Sequence, residues 1–169
     1  MASFDTYAPR LRKWEGRIFT ILPNDKGGPT NSGVTLATFQ SIFGSDKTIT
    51  DLRNMTEAQW RIVMKGLFWD KCWGDMIHNQ SVAEIFVDWC INAGLGKIKM
   101  VQQMVGTNPD GIVGPKTIAA INRANQEALH RQIKLTRAKR YIAQIEADKT
   151  QMGFFNGWFN RIIDFNYKK

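Results

Sequence analysis

Trp14-Glu15-Gly16-Arg17, followed by Asn24-Asp25-Lys26-Gly27-Gly28-Pro29-Thr30-Asn31-Ser32-Gly33-Val34-Thr35, decides how this chain is read. Glu15 closes a stretch from Phe4 that reads as a helix. Asp25 sits in a turn-rich stretch able to fold back over it. Glycines 27, 28 and 33 permit close backbone approach and unusual dihedrals. Pro29 removes a donor and stiffens the loop, so Asp25 and Thr30 can be held in fixed directions. Leu11, Trp14 and Ile18 predict an apolar setting for the Glu15 carboxyl, the kind of setting general acids use. Two carboxylates facing one another across a cleft are the minimum equipment for cleaving a glycosidic bond. An Asp and a Glu at this spacing are more often solvated surface groups, and it is the loop between them that favours the chemical reading.

Composition narrows the class. The 169 residues are 43% hydrophobic and 22% charged, the balance of a globular protein with one core or two small subdomains. Six Trp and ten Phe supply buried aromatic mass, with one or two available as a sugar platform. A net charge of +8 and a pI near 9.7 favour an anionic partner: nucleic acid, acidic lipid or bacterial cell wall. Nine Lys and Arg lie between Arg131 and Lys169, against Glu146, Asp148 and Asp164, and a solvated basic helix face is the plain account. No groove-facing basic motif is present, so nucleic acid is not the expected partner. No apolar run reaches the length of a membrane span, so stable membrane insertion is not expected. Cys72 and Cys90 lack metal-ligand spacing, and neither a cofactor nor a metal is expected. Cys90 falls on an apolar helical stripe as a small core residue, and a disulfide between the two is left open. His78 and His130 are isolated and carry no role.

The pattern along the chain is mainly helical. A β-like piece follows the first helix at Arg17 to Ile21. Thr35 caps a helix bearing Leu36, Phe39 and Phe43 that ends at Gly44. Thr56 to Gln59 is a capping box, opening a helix with Trp60, Val63, Met64, Leu67 and Phe68. Ser81 to Glu84 reads as a second box, ahead of an apolar stripe of Val82, Ile85, Phe86, Trp89 and Ala93. Ile98, Val101 and Val105 mark the next helix. Asp110-Gly111 is a turn signal, and Pro115 suits the first position of a helix expected to run, with a bend, to about Lys149. A last aromatic helix carries Phe155, Trp158, Phe159, Ile162 and Ile163.

Three blocks together identify a family. The first is Glu15-Gly16 with the Asp25 to Thr35 run. The second is Phe68-Trp69-Asp70, Val87-Asp88-Trp89 and Asn92-Ala93-Gly94. The third is Gln102-Gln103, Asp110-Gly111-x-x-Gly114-Pro115-x-Thr117 and Gly157-Trp158-Phe159-x-Arg161. In this order and over almost its whole length the chain resembles glycoside hydrolase family 108, the N-acetylmuramidases joined to a predicted peptidoglycan-binding domain. It departs from the family's frequent pattern at Arg17 and Ile18, where a second glycine and an aromatic often stand. The same layout of Glu, Asp and Thr is similar to phage-type lysozymes.

The resemblance implies a mainly α, lysozyme-like helical fold with a small β and loop segment near the catalytic glutamate. It implies a lysozyme-like catalytic region over 1–96 and a peptidoglycan-binding helical region over 97–169, packed against the first. The implied activity is hydrolysis of the β-1,4 bond between N-acetylmuramic acid and N-acetylglucosamine in peptidoglycan glycan strands. Glu15 takes the place of the catalytic acid. Asp25 is expected to stay ionised, stabilising the oxocarbenium-like transition state or helping activate water. Thr30 is expected to position that water or hold Asp25. Trp69, Asp88 and Asn92 are the expected substrate-binding residues, weighed against core packing for Trp69 and a buried hydrogen-bonded pair for Asp88 and Asn92. The expected place of action is the bacterial wall, in the periplasm or outside the cell. Met1 to Asp5 lack a signal-peptide pattern, so another export route or a phage origin is expected. A monomer is the default. A non-catalytic wall-binding protein and a lytic transglycosylase, which makes an anhydro product, are the rivals.

Overall fold

The computed structural model describes residues 1–16, 18–21 and 28–169. Arg17 and the stretch 22–27, which includes Asp25, lie outside the described residues. Two compact units emerge, one of Asp5–Leu67 and one of Met1–Phe4 with Phe68–Lys169.

The first unit holds the small sheet. Helix α1 covers Phe4–Glu15 and ends where Gly16 takes a left-handed φ of 68°, its N–H still reaching Arg12 O at 3.0 Å. A left-handed glycine is the common helix terminator, which is the local reason a Gly follows the Glu. Strands β1 (Phe19–Thr20), β2 (Thr30–Asn31) and β3 (Val34–Thr35) form an antiparallel sheet in that order. Asn31 pairs with Val34, leaving Ser32 and Gly33 as a two-residue turn. Both have positive φ, 52° and 80°, the signature of the tight hairpin turn whose twist matches the strands. Thr35 caps α2 (Leu36–Phe43) by accepting from Thr38 N, as its sequence predicts. A short helix α3 (Ile49–Arg53), capped by the Thr48/Asp51 box, is an addition to the sequence reading. Helix α4 (Glu57–Met64) starts from the Thr56/Gln59 box and buries Trp60, Val63 and Met64.

A π-helical turn at Lys65–Trp69 leads into the second unit. There α5 (Gln80–Ala93) is the core helix, and every residue from Ser81 to Cys90 is buried. Its surroundings are protein on all sides, so the single apolar stripe expected there is replaced by burial all round. Its cap differs as well. Asn79 caps the helix by accepting from Val82 N, while Ser81 and Glu84 lie inside it, bonded to Lys168 N and Gln80 Nε2. An Asx cap one residue upstream of the first turn outcompetes the Ser-x-x-Glu pattern.

Helices α6 (Lys97–Met104), α7 (Pro115–Arg123), α8 (Gln126–Ala147) and α9 (Phe155–Asp164) complete the unit. The long helix expected from Pro115 to Lys149 is two helices. Ala124 turns extended and Asn125 caps α8 by accepting from Ala128 N. Helix α5 packs on α6 and α8, and α8 packs on α9. Cys72 and Cys90 are buried free thiols. A hydrogen bond with Cys90 and burial push the Cys72 thiol well above its usual range.

Candidate active site

Glu15 stands on the last turn of α1, half-buried. Its carboxylate rests against the hairpin turn, so closely that a Cβ at residue 33 would lie 2.7 Å from Glu15 Oε2. Gly33 is therefore required twice, by its φ of 80° and by this approach. The turn that meets Glu15 is held from three directions. Ser32 N donates to Ile18 O at 3.0 Å, Trp60 Nε1 donates to Ser32 O at 3.1 Å, and Ser32 Oγ donates to Asn31 Oδ1 at 2.8 Å. Asn31 Nδ2 in turn donates to Leu52 O and Arg53 O at 2.8 and 3.1 Å, tying the hairpin to α3. Buried polar groups satisfied in this way fix one geometry.

Thr30 is on β2 of the same hairpin. Its hydroxyl donates to Gly28 O at 3.1 Å, and Leu36 N donates to Pro29 O at 2.9 Å. Both bonds brace the backbone at the end of the glycine loop.

One turn before Glu15 on α1, the Arg12 guanidinium lies over the Trp60 ring, 4.6 Å from its centre, and Arg12 Nε pairs with Glu57 Oε2 at 3.1 Å. Arg53 lies over Phe19 at 4.7 Å. Arg12, Glu57, Arg53 and Phe19, with Asn31 and Met55, wall a pocket of about 240 Å³ that shares α1 and the hairpin with Glu15. It offers guanidinium donors, a carboxylate acceptor and an aromatic face, which are the groups that bind sugar hydroxyls and ring faces. Arg12, Asn31, Arg53 and Trp60 are absent from the sequence reading of the site. Arg12 carried one signal, its position three residues before Glu15 on one helix face. The others reach this unit's site through tertiary packing.

The other three expected site residues belong to the second unit. Trp69 is fully buried, its Nε1 donating to Asp75 Oδ1 at 2.7 Å and its ring meeting Phe4 edge-on at 5.8 Å. Asp88 is fully buried and clasped by two guanidiniums. Arg161 Nη2 lies 2.7 Å from Oδ1 and Arg137 Nη2 lies 2.9 Å from Oδ2. Its carboxylate joins α5 to α8 and α9 instead of facing solvent. Asn92 Oδ1 accepts from the Tyr141 hydroxyl. Trp73, in left-handed backbone at φ 52°, is the tryptophan of this segment that reaches solvent, 38% exposed.

The second unit also builds the Asp110 to Thr117 turn around one side chain. Buried Gln102 donates through Nε2 to Asp110 Oδ1, Ile112 O and Thr117 Oγ1, and its Oε1 accepts from Gly111 N. The Ile112 N–H and the Gln102 amide hold the Asp110 carboxyl below its usual range. Among the described residues no group of three His, Cys, Asp or Glu is arranged to hold a metal ion. None of their helices is long and apolar enough to cross a membrane.

Residues 8–94 match the family Glycosyl hydrolase 108, and residues 96–163 match the family described as Predicted Peptidoglycan domain. The chain is similar to a solved structure from Brucella abortus, SagA, with 27% identity and a TM-score of 0.76 over 96% of this chain and 92% of that one. No curated protein matches it. With more than half of its length inside the first match, the chain belongs to glycosyl hydrolase family 108 and is a lysozyme-like glycoside hydrolase, an N-acetylmuramidase acting on peptidoglycan.

Proposed function

We propose that Glu15 is the general acid of this muramidase and protonates the glycosidic oxygen between N-acetylmuramic acid and N-acetylglucosamine as the bond breaks. The observation that carries the assignment is the seat of its carboxylate against Gly33 in a turn braced by Ser32, Asn31 and Trp60. A proton donor must be aimed before it is useful, and this bracing limits where Glu15 can point. Asp25 is the ionised partner that stabilises the oxocarbenium-like transition state or orients the attacking water. Thr30 braces the loop that carries it. The pocket of Arg12, Phe19, Asn31, Arg53 and Glu57 holds a neighbouring sugar of the glycan strand.

Residues 1–96 form the hydrolase region and residues 97–169 the wall-binding region, with α5 as the core on which the latter packs. The protein acts as a monomer at the bacterial wall, in the periplasm or outside the cell.

Digestion of purified peptidoglycan by the parent and Glu15→Gln proteins tests the assignment. Loss of general acid help is worth roughly a hundred- to ten-thousand-fold in rate, so the variant should release fragments at least about a hundred times more slowly with its thermal midpoint unchanged. Lysis by Glu15→Gln at the parent rate would overturn the role of Glu15. Parent products weighed as anhydro sugars would overturn hydrolysis itself.

A further inference from the structure

The second unit contains a pocket of about 330 Å³ between the end of α5, the start of α6 and the last third of α8. Trp89, Ala93, Lys97, Arg140, Tyr141 and Gln144 line it. Its volume is at the low end of the range of roughly 300–1,000 Å³ for small-molecule sites.

Three features give it a chemical preference. Among the described residues neither Lys97 nor Arg140 has a carboxylate partner; the contact recorded for Arg140 is from Nε to Met100 Sδ at 2.9 Å, a weak acceptor for a guanidinium. The Trp89 indole N–H is buried with no acceptor, a state native proteins rarely leave uncompensated. Trp89, Ala93 and Tyr141 add aromatic and aliphatic surface, and Tyr141 is fixed in place. Tyr141 is stacked on Trp158 at 4.9 Å, donates to Asn92 Oδ1 and accepts from Arg137 Nη2 at 3.4 Å. Two unpaired cations with an aromatic and aliphatic wall suit an amphipathic anion. A bare phosphate would leave that wall unused, and a neutral sugar would leave both cations unanswered.

The geometry points to this pocket as a binding site for a short peptide carboxylate, with Arg140 and Lys97 holding the carboxylate and Trp89, Ala93 and Tyr141 holding small aliphatic side chains. The carboxylate preference follows from the pocket. Only the naming of the source, the peptide stems of the wall, rests on the function proposed above.

The test is titration of the full chain with D-alanyl-D-alanine, followed by the NMR resonance of the Trp89 indole N–H, with Trp89→Phe serving to assign the peak. A saturable shift with the free acid is expected. The C-terminal amide should bind at least about tenfold more weakly, as should Arg140→Gln and Lys97→Gln proteins toward the free acid. Arg140 is exposed and Lys97 half-buried, neither with a carboxylate partner among the described residues, and the thermal midpoints of both variants should stay at the parent value. Inorganic phosphate should not displace the dipeptide. No shift at Trp89, equal binding of acid and amide, or phosphate binding as tightly as the dipeptide overturns the proposal. Binding is read without hydrolysis, so the two readings fail separately. Wall digestion without dipeptide binding removes this site alone, and dipeptide binding by a parent that does not digest walls removes the hydrolase assignment alone.

Discussion

Glu15 and Gly33 are eighteen residues apart and act as one device. The glycine supplies a left-handed φ of 80° and the missing side chain that lets Oε2 of Glu15 lie where a Cβ would be. Gly33→Ala imposes a left-handed penalty of about 1–2 kcal/mol and displaces the carboxylate. The expected outcome is a lower thermal midpoint together with a fall in kcat on peptidoglycan at temperatures where the variant is fully folded. An unchanged kcat would show that the seat of Glu15 does not matter to the reaction. The sequence displayed both residues, because a Glu-Gly pair and a glycine-rich loop are local signals. Their contact was not legible, and neither were Trp60 and Asn31, since each reaches the turn from a different element. Trp69 and Asp88, weighed as sugar contacts against core packing and a buried hydrogen-bonded pair, are buried among Phe4, Asp75, Arg137 and Arg161. Residue type shows that an indole or a carboxylate is present and leaves open which way it faces.

At the scale of elements, caps were the most legible feature. Thr35 and Thr56 begin helices where their side chains accept from the third amide, and Pro115 opens α7. The misreadings have the same physics. Asn79 displaces Ser81 as cap of α5, and Asn125 splits one expected helix into α7 and α8, because a short polar side chain satisfies free helical amides wherever the backbone presents them. The Asp110 to Thr117 turn depends on Gln102, eight or more residues upstream. Gln102→Leu removes four hydrogen bonds and strands their partners, some of them buried, at a cost of about 2–4 kcal/mol, measurable by denaturant unfolding. Asp110 adds an acid-sensitive part. Its folded-state carboxyl is depressed below the ordinary 3.8, first by the Ile112 N–H. Its contribution is thus present above that pH and is lost as pH falls through the folded value. The stability gap between parent and Asp110→Asn should be open at neutral pH and close below about 3.8.

For the whole molecule, the charge balance hides two different populations. Of the cations crowded after residue 131, Arg137 and Arg161 are buried around Asp88, locking α8 and α9 to α5. Asp88→Asn removes the carboxylate that Arg137 and Arg161 share, and breaking such a buried pair costs about 3–5 kcal/mol. Chemical denaturation should register that loss, and a variant as stable as the parent would show the clasp to be incidental. Most of the remaining Lys and Arg of this stretch are exposed, and the net charge is +8. Adsorption of Glu15→Gln protein to purified, anionic wall should weaken severalfold as salt rises from about 0.05 to 0.5 M, because the screening length falls below about 10 Å. Adsorption indifferent to salt would assign wall binding to contacts other than charge.

The sequence by itself determined the helical class, most helix starts, the Glu15 position at the end of α1 and the glycine-rich loop after it, because these depend on neighbours within a few residues. The tertiary structure alone decided that Gly33 seats the Glu15 carboxylate, that Asp88 is a clasp inside the second unit, and that Trp89, Lys97 and Arg140 share a pocket. Those facts depend on which distant surfaces pack together, and packing is settled by burial and hydrogen-bond satisfaction over the whole fold.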